Sequence, residues 1–168
     1  ALRIPSKTSS TFSKLRIIDL SFNSFSGDLP HQYFQDWSAM KETKQNAAYM
    51  QANVDILGER YIWLGNYSYS MNMTNKGVKT EYEKVLNIFI AVDLSSNKFQ
   101  GDIPEAIKAH SNLQLLNLSN NELSGTIPSS MGYLTNLESL DLSSNKLSGM
   151  IPQALVQLNF LAFLNVSF

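Results

Sequence analysis

The sequence has no cysteine. Disulfide frameworks, thiol nucleophiles and cysteine-ligated zinc are therefore excluded. Its two histidines, His31 and His110, stand far apart with no carboxylate pattern around either. Neither a metal site nor a histidine-based catalytic centre is expected, and no nucleophile–base pair supports a hydrolase. Charged residues make up only 16%, with 13 Lys and Arg against 14 Asp and Glu. A net charge of −1 offers no basic surface to a phosphate backbone or an anionic membrane, so nucleic acid is not an expected partner. No run of 18 apolar residues is present to cross a bilayer as a helix. No signal peptide is visible and Ala1 is not a natural start, so the expectation is a piece of a longer polypeptide. Against these absences, 43% of the 168 residues are hydrophobic, enough for a folded core.

What the chain does have is a period. Asn97, Asn121 and Asn145 are 24 residues apart, and the same frame surrounds each. Before Asn121 come Leu113, Leu116 and Leu118; after it come Leu123, Gly125, Ile127 and Pro128. Around Asn145 the set is Leu137, Leu140, Leu142, Leu147, Gly149, Ile151 and Pro152. Around Asn97 it is Phe89, Val92, Leu94, Phe99, Gly101, Ile103 and Pro104. Around Asn23 it is Leu15, Ile18, Leu20, Phe25, Gly27, Leu29 and Pro30, and a fifth copy begins at Leu161, Leu164 and Val166. This is the leucine-rich repeat pattern, L-x-x-L-x-L-x-x-N-x-L.

The pattern predicts its own fold. In each L-x-L step alternate residues face opposite ways, so a short strand buries its leucines. One coil cannot bury its apolar edge alone, but a stack of coils can, with parallel strands about 4.8 Å apart. A buried Asn amide needs partners, so Asn23, Asn97, Asn121 and Asn145 are expected to form a structural ladder bonded to turn backbone. Gly permits the bend that follows, and Ile/Leu-Pro closes a second extended segment. The convex side, over 105–112 and 129–136, is expected to hold short helical or 3-10 turns. The fold class is thus a leucine-rich-repeat solenoid of the α/β class.

The period is broken once. Asn23 and Asn97 lie 74 residues apart, about 50 more than one period. The extra residues carry five of the seven tyrosines, Trp63 and four of the six methionines, an apolar load suited to packing rather than to a free loop. Within them, Tyr67, Tyr69, Met71 and Met73 alternate with polar residues. Asn75-Lys76-Gly77 follows as a turn, and Val78, Thr80 and Tyr82 alternate on the return. This predicts a β-hairpin with one aromatic and methionine face and one polar face. Trp37, Ala39 and Met40 predict a short helix running towards Ala47 and Met50. The expected organisation is repeats over 1–37, an inserted unit over 38–88 and repeats over 89–168.

The extended frame L-x-x-L-x-L-x-x-N-x-L-x-G-x-I-P is similar to the plant-specific class of these repeats. Leu29-Pro30, Tyr33-Phe34, Trp37 and Ala39-Met40 resemble the entry to the island of plant receptor-like proteins. Tyr67, eight residues and then Lys76-Gly77 resemble that island's Tyr-x8-Lys-Gly motif, and Glu81-Tyr82-Glu83-Lys84 resembles its exit. The resemblance covers the whole chain. It implies the membrane-proximal part of the ectodomain of a single-pass receptor on the outer face of the plasma membrane, with no kinase of its own. The caps, membrane helix and tail of such a receptor are not in this sequence, and the expectation is that uncapped ends fray or associate.

What the resemblance implies for function is a non-enzymatic immune recognition module without a cofactor. The island and the following repeats would bind a proteinaceous or glycan-related elicitor and the ectodomain of a short leucine-rich-repeat co-receptor kinase. Two other families share features: steroid-hormone (brassinosteroid-type) receptor kinases, whose island lines a small-molecule pocket, and secreted polygalacturonase inhibitors, which lack so large an interruption. A transmembrane helix followed by a kinase in the full gene product would mark the first of these.

Four sequons are present, at Asn66, Asn72, Asn117 and Asn165. For Asn117 and Asn165 an accident of the L-N-L-S frame is an equal explanation. Asn66 and Asn72 are expected acceptors in a secreted protein. The outward strand positions form columns. Asp19, Asp93, Asn117, Asp141 and Asn165 are expected to be solvated and hydrogen-bonded to neighbouring Ser and Asn. Ile17, Ala91, Leu115, Ser139 and Phe163 form the next column, with the insertion covering Ile17 and Ala91. Leu115 and Phe163 then remain as candidate partner contacts, alongside Tyr67, Lys76 and Gly77.

Overall fold

The computed structural model describes residues 12, 14–29, 31, 34, 37–41, 46–57 and 62–167; over 52–57 and 62–67 it describes the backbone. Each repeat contributes one short strand to a five-stranded parallel sheet: β1 (Ile17–Asp19), β7 (Ala91–Asp93), β9 (Leu115–Asn117), β11 (Ser139–Asp141) and β12 (Phe163–Asn165). A second parallel sheet runs beside it, made of β2 (Ser26–Asp28), β8 (Lys98–Asp102) and β10 (Glu122–Ser124). The convex side carries 3-10 turns at Glu105–Ala109, Ser129–Tyr133 and Gln153–Gln157, each entered through a proline in extended conformation. This is the leucine-rich-repeat solenoid that the period predicts.

The register passes across the insertion without a slip. Ile17 pairs with Ala91 and Asp19 with Asp93, as Ala91 pairs with Leu115 and Leu115 with Ser139. Coils on either side of the interruption therefore stack as neighbours. Ile18, Val92, Leu116 and Leu140 point inward to a core that also holds Leu94, Leu118, Leu142, Phe99, Leu123, Ile107 and Met131. Fully burying each such side chain contributes about 1.5–3 kcal/mol. At the last coil the same positions open outward: Leu140 is fully buried, whereas Leu164, one period later, is 42% exposed, and Ile151 is exposed where Ile127 is not.

The asparagines bind coil to coil. Asn121 Nδ2 donates to the carbonyls of Leu118 and Ser119 in its own turn and of Leu94 in the preceding coil, at 3.0–3.2 Å. Its Oδ1 accepts the Phe99 N–H at 3.0 Å. Asn145 repeats this with Leu118, Leu142, Ser143 and Leu123. Asn97 does so with Leu20, a carbonyl 77 residues earlier, as well as Leu94, Ser95 and Phe25. Asn23 donates to Leu20 and Ser21 in its own turn. The residue before each ladder Asn (Phe22, Ser96, Asn120, Ser144) has φ of 53–54°, the left-handed region. A non-glycine residue holds that conformation at a cost, and the Asn bonds across the turn offset it.

The insertion contains two antiparallel strand pairs. β3 (Gln51–Leu57) pairs with β4 (Ile62–Ser68), and β5 (Met71–Asn75) pairs with β6 (Val78–Tyr82). The second pair is the hairpin predicted from alternation. Its turn is Lys76-Gly77, with φ of 52° and 74°, the two left-handed residues of a type I′ turn. Its first strand begins later than expected. Tyr67 belongs to β4, opposite Ala52, and the chain turns at Tyr69, whose N–H donates to Met50. The β3–β4 pair was not anticipated.

Both ends of the insertion are tied down. Met50 N–H donates to Val85, Asn87 N–H to Ala48, and Tyr49 bridges Leu86, which closes a neck. On the convex side a single 3-10 turn, Ser38–Met40, replaces the expected longer helix; residues 42–45 lie outside the described ones. Phe34, Trp37 and Met40 are buried there, and His110 sits 5.9 Å from the Phe34 and Trp37 rings. The Lys41 carbonyl accepts Asn112 Nδ2 at 2.9 Å.

Candidate functional site

The β5–β6 hairpin lies as a strap along the concave sheet. Strand alternation sends Met71, Met73, Asn75, Thr80 and Tyr82 to one face and Asn72, Thr74, Lys79 and Glu81 to the other. The first face packs down. Met73, Ala91 and Leu115 form a buried cluster, with Ile17, Met71, Tyr82 and Phe89 against it. Tyr82 meets Phe89 at 5.4 Å between ring centroids and accepts Asn75 Nδ2 at 2.7 Å. This cluster is separate from the solenoid core and lies on the opposite side of the sheet.

The tip reaches the last two coils. Lys76 N–H donates to Ser139 Oγ at 3.2 Å, and Lys76 Nζ stands 3.6 Å from Glu138 Oε2. A Cβ placed on Gly77 would meet the Phe163 ring at 3.2 Å, so a side chain there would press on that ring at a backbone conformation that already disfavours one. Both side chains of the ion pair are nearly half exposed, which makes it worth at most about 1 kcal/mol. Packing on Phe163 and the buried cluster holds the strap more than charge does.

This geometry changes four expectations. Leu115 is 1% exposed, because Met73 of the strap covers it; it is not a free partner contact. Phe163 is half-buried against the tip. Asp93 is not solvated: it is 1% exposed, accepts the Ser95 N–H at 2.9 Å and accepts Asn117 Nδ2 at 3.2 Å. Burial raises its pKa above the usual carboxylate value, hydrogen bonds from Ser95 and Asn117 oppose the rise, and nearby Asp19 adds to it. Asn117, 4% exposed, spends its amide on Asp93 and accepts from the Ser119 N–H and hydroxyl. A glycan on Nδ2 would have to fit beside Asp93, where the Asn117 side chain is almost fully enclosed.

Further along the same column the polar stack stands as expected. Asp141 accepts from the Ser143 N–H and hydroxyl at 3.0 and 2.6 Å, and Asn165 accepts likewise from Ser167. Asn72 is exposed on the outer face of the strap. The side chains of Asn66 and Tyr67 lie outside the described ones. Sequence reasoning missed the aromatic neck, where Tyr49 and Tyr69 are exposed and Lys84 Nζ lies 5.6 Å from the Tyr49 ring centroid. Among the described residues no group of three His, Asp or Glu could hold a metal ion, and no helix is long and apolar enough to cross a membrane.

Comparison with known proteins fits this architecture. Two leucine-rich-repeat family models match, one over residues 112–168 and one over 14–35. Receptor-like protein 34 of Arabidopsis thaliana is 49% identical over 108 residues, covering 63% of this chain and 10% of the relative. Over the matched part the chain is similar to the plant leucine-rich-repeat receptor-like proteins. Receptor-like protein 53 of the same plant is 50% identical over 64% of the chain and 11% of its own length. The chain thus spans 10–11% of these two relatives. Among solved structures, the ectodomain of the Arabidopsis receptor kinase GASSHO1/SCHENGEN3, in complex with CASPARIAN STRIP INTEGRITY FACTOR 2, aligns with a TM-score of 0.57 and 26% identity. That alignment covers 89% of this chain and 12% of that one. The Arabidopsis BIR3–SERK2 complex aligns with a TM-score of 0.51 and 27% identity, covering 86% of this chain and 52% of the matched one.

Proposed function

We propose that this chain is part of the extracellular recognition module of a plant receptor-like protein. In this reading the strap and the last coils bind a ligand and the ectodomain of a leucine-rich-repeat co-receptor kinase, and immune signalling follows from bringing kinases together. The observation that carries it is the placement of the strap. Its tip and the last coils form one continuous surface, in which Lys76 is exposed, Glu138 half-exposed and Phe163 half-buried. Such a rim of charge around a partly covered aromatic is suited to a protein partner, where aromatic anchors carry much of the binding energy.

The relatives support the kind of protein, and the BIR3–SERK2 neighbour supports the kind of partner, a second leucine-rich-repeat ectodomain. The apolar face of the strap is already spent on Ala91 and Leu115, which favours a macromolecular partner over a steroid enclosed beneath it. The test is a calorimetric titration with a SERK-type ectodomain, with and without elicitor. Replacing Lys76 by Glu together with Phe163 by Ser is expected to weaken binding at least about tenfold, roughly 1.4 kcal/mol. Unchanged affinity removes the tip from the interface.

A further inference from the structure

We propose that Asn72 is an N-glycan acceptor of this chain and that Asn117, with the same sequon chemistry, stays bare. The proposal rests on the extracellular reading above, since glycan transfer requires the secretory route. It also deepens that reading, because it marks which face of the strap a partner can reach.

The argument begins with alternation on β5. Met73 is 2% exposed and packs on Leu115, so its neighbours in sequence must point away from the solenoid. Asn72 is exposed, and Glu81, directly opposite it on β6, is exposed as well. Lys79, opposite Thr74, is exposed too. Thr74 occupies the second position after Asn72 and lies on the same face, so both sequon side chains share one side of the strand. The outer face is polar throughout. A bulky hydrated sugar tree can leave it without displacing the packing beneath the strap.

Asn117 is the contrast. Its Nδ2, the atom that would carry sugar, donates to buried Asp93, and its position is Asp93 one repeat earlier and Asp141 one repeat later. The repeat's preference for Asp or Asn followed by Ser generates that sequon. Transfer precedes complete folding, so a chain modified at Asn117 would have to seat a bulky sugar beside β7, where that residue is 4% exposed.

The chemical step is balanced by one co-reactant, a lipid-pyrophosphate-linked oligosaccharide. The Asn72 amide nitrogen forms a bond to C1 of the terminal sugar. The C1–oxygen bond to pyrophosphate breaks, the lipid pyrophosphate leaves with the electron pair, and the amide gives up one proton. A glycan rooted there shields the outer face of the strap and leaves Lys76, at the tip, as the accessible end.

The experiment is glycopeptide mapping by mass spectrometry of the protein secreted from plant cells. The Asn72 peptide is expected to carry glycan and the Asn117 peptide none. Asn72→Gln and, independently, Thr74→Val are each expected to remove one glycan mass while secretion continues; Asn117→Gln is expected to leave the glycan mass unchanged. A bare Asn72 peptide in the folded, secreted protein, or a glycan on Asn117 in that fraction, overturns the proposal. The readout is sugar mass alone, so its failure is distinct from failure of the co-receptor titration.

Discussion

The backbone amide of Lys76 donates to the hydroxyl of Ser139, 63 residues further along the chain. That bond ties an insertion rooted between the first two coils to the penultimate strand of the stack. The strap thus joins coils that the repeat itself connects only through their neighbours. Its removal should be felt at both ends.

Gly77 is the most constrained residue of the tip. Its φ of 74° disfavours any side chain, and a Cβ would press on Phe163. Gly77→Ala is expected to destabilise the tip by about 1 kcal/mol or more. Hydrogen exchange should show it locally, with protection lost at Lys76 and through β5–β6 and little change at Leu116 or Leu140.

Leu115→Ala removes the floor of the buried cluster beneath Met73. The expected cost is about 2–4 kcal/mol, within the range for buried leucines. The strap should become the site of proteolytic nicking before the solenoid melts, as limited proteolysis with fragment mapping would show. Cleavage spread evenly over the chain would mean that the two clusters are not separable.

Asn121→Ala leaves the carbonyls of Leu94, Leu118 and Ser119 and the N–H of Phe99 without their side-chain partner. With both coils buried around it, the cost is expected to be about 3 kcal/mol. Thermal unfolding followed by circular dichroism reads it directly.

His110 makes the stability depend on pH. It is fully buried between Phe34 and Trp37, and burial, with the charge of Lys41 as a second cause, holds its pKa at about 4 against an ordinary 6.5. The folded form prefers the neutral ring. Stability is therefore complete above pH 6.5 and is lost as pH falls towards 4, by up to about 3 kcal/mol. The next two repeats place Leu134 and Leu158 at this position. His110→Leu is expected to flatten the acid limb of a denaturation series run from pH 7 to pH 4. An unchanged slope would place the acid sensitivity elsewhere, with Asp93 excluded by sign: its pKa is raised, so protonation favours the fold.

How much of this was legible beforehand depended on whether the signal was local. The coils were legible because Leu116, Leu118, Asn121 and Gly125 each answer a requirement of their own turn, repeated in register. The strap was legible as a hairpin because Met71, Met73 and Lys76-Gly77 carry alternation and turn chemistry. Its resting place was not, because that depends on Met73 meeting Leu115 and Gly77 meeting Phe163, contacts between segments tens of residues apart. Alternation alone therefore leaves Leu115 on an outward face with nothing over it. The β3–β4 pair had a readable sign, Asn53 and Asp55 alternating with Val54 and Ile56 before Gly58, that lay hidden beside the stronger Tyr67 alternation. The burial of Asp93 has no mark in sequence, since the same column position remains half-exposed as Asp141.

The most direct test of the strap uses the absence of native cysteine. Lys76→Cys paired with Ser139→Cys, oxidised mildly, is expected to form an intramolecular disulfide rapidly and in high yield, while Lys76→Cys paired with Ser21→Cys does not. Mass spectrometry of the unreduced peptides reads the link. Equal yields from the two pairs, or none from the first, would contradict a hairpin seated on the concave face.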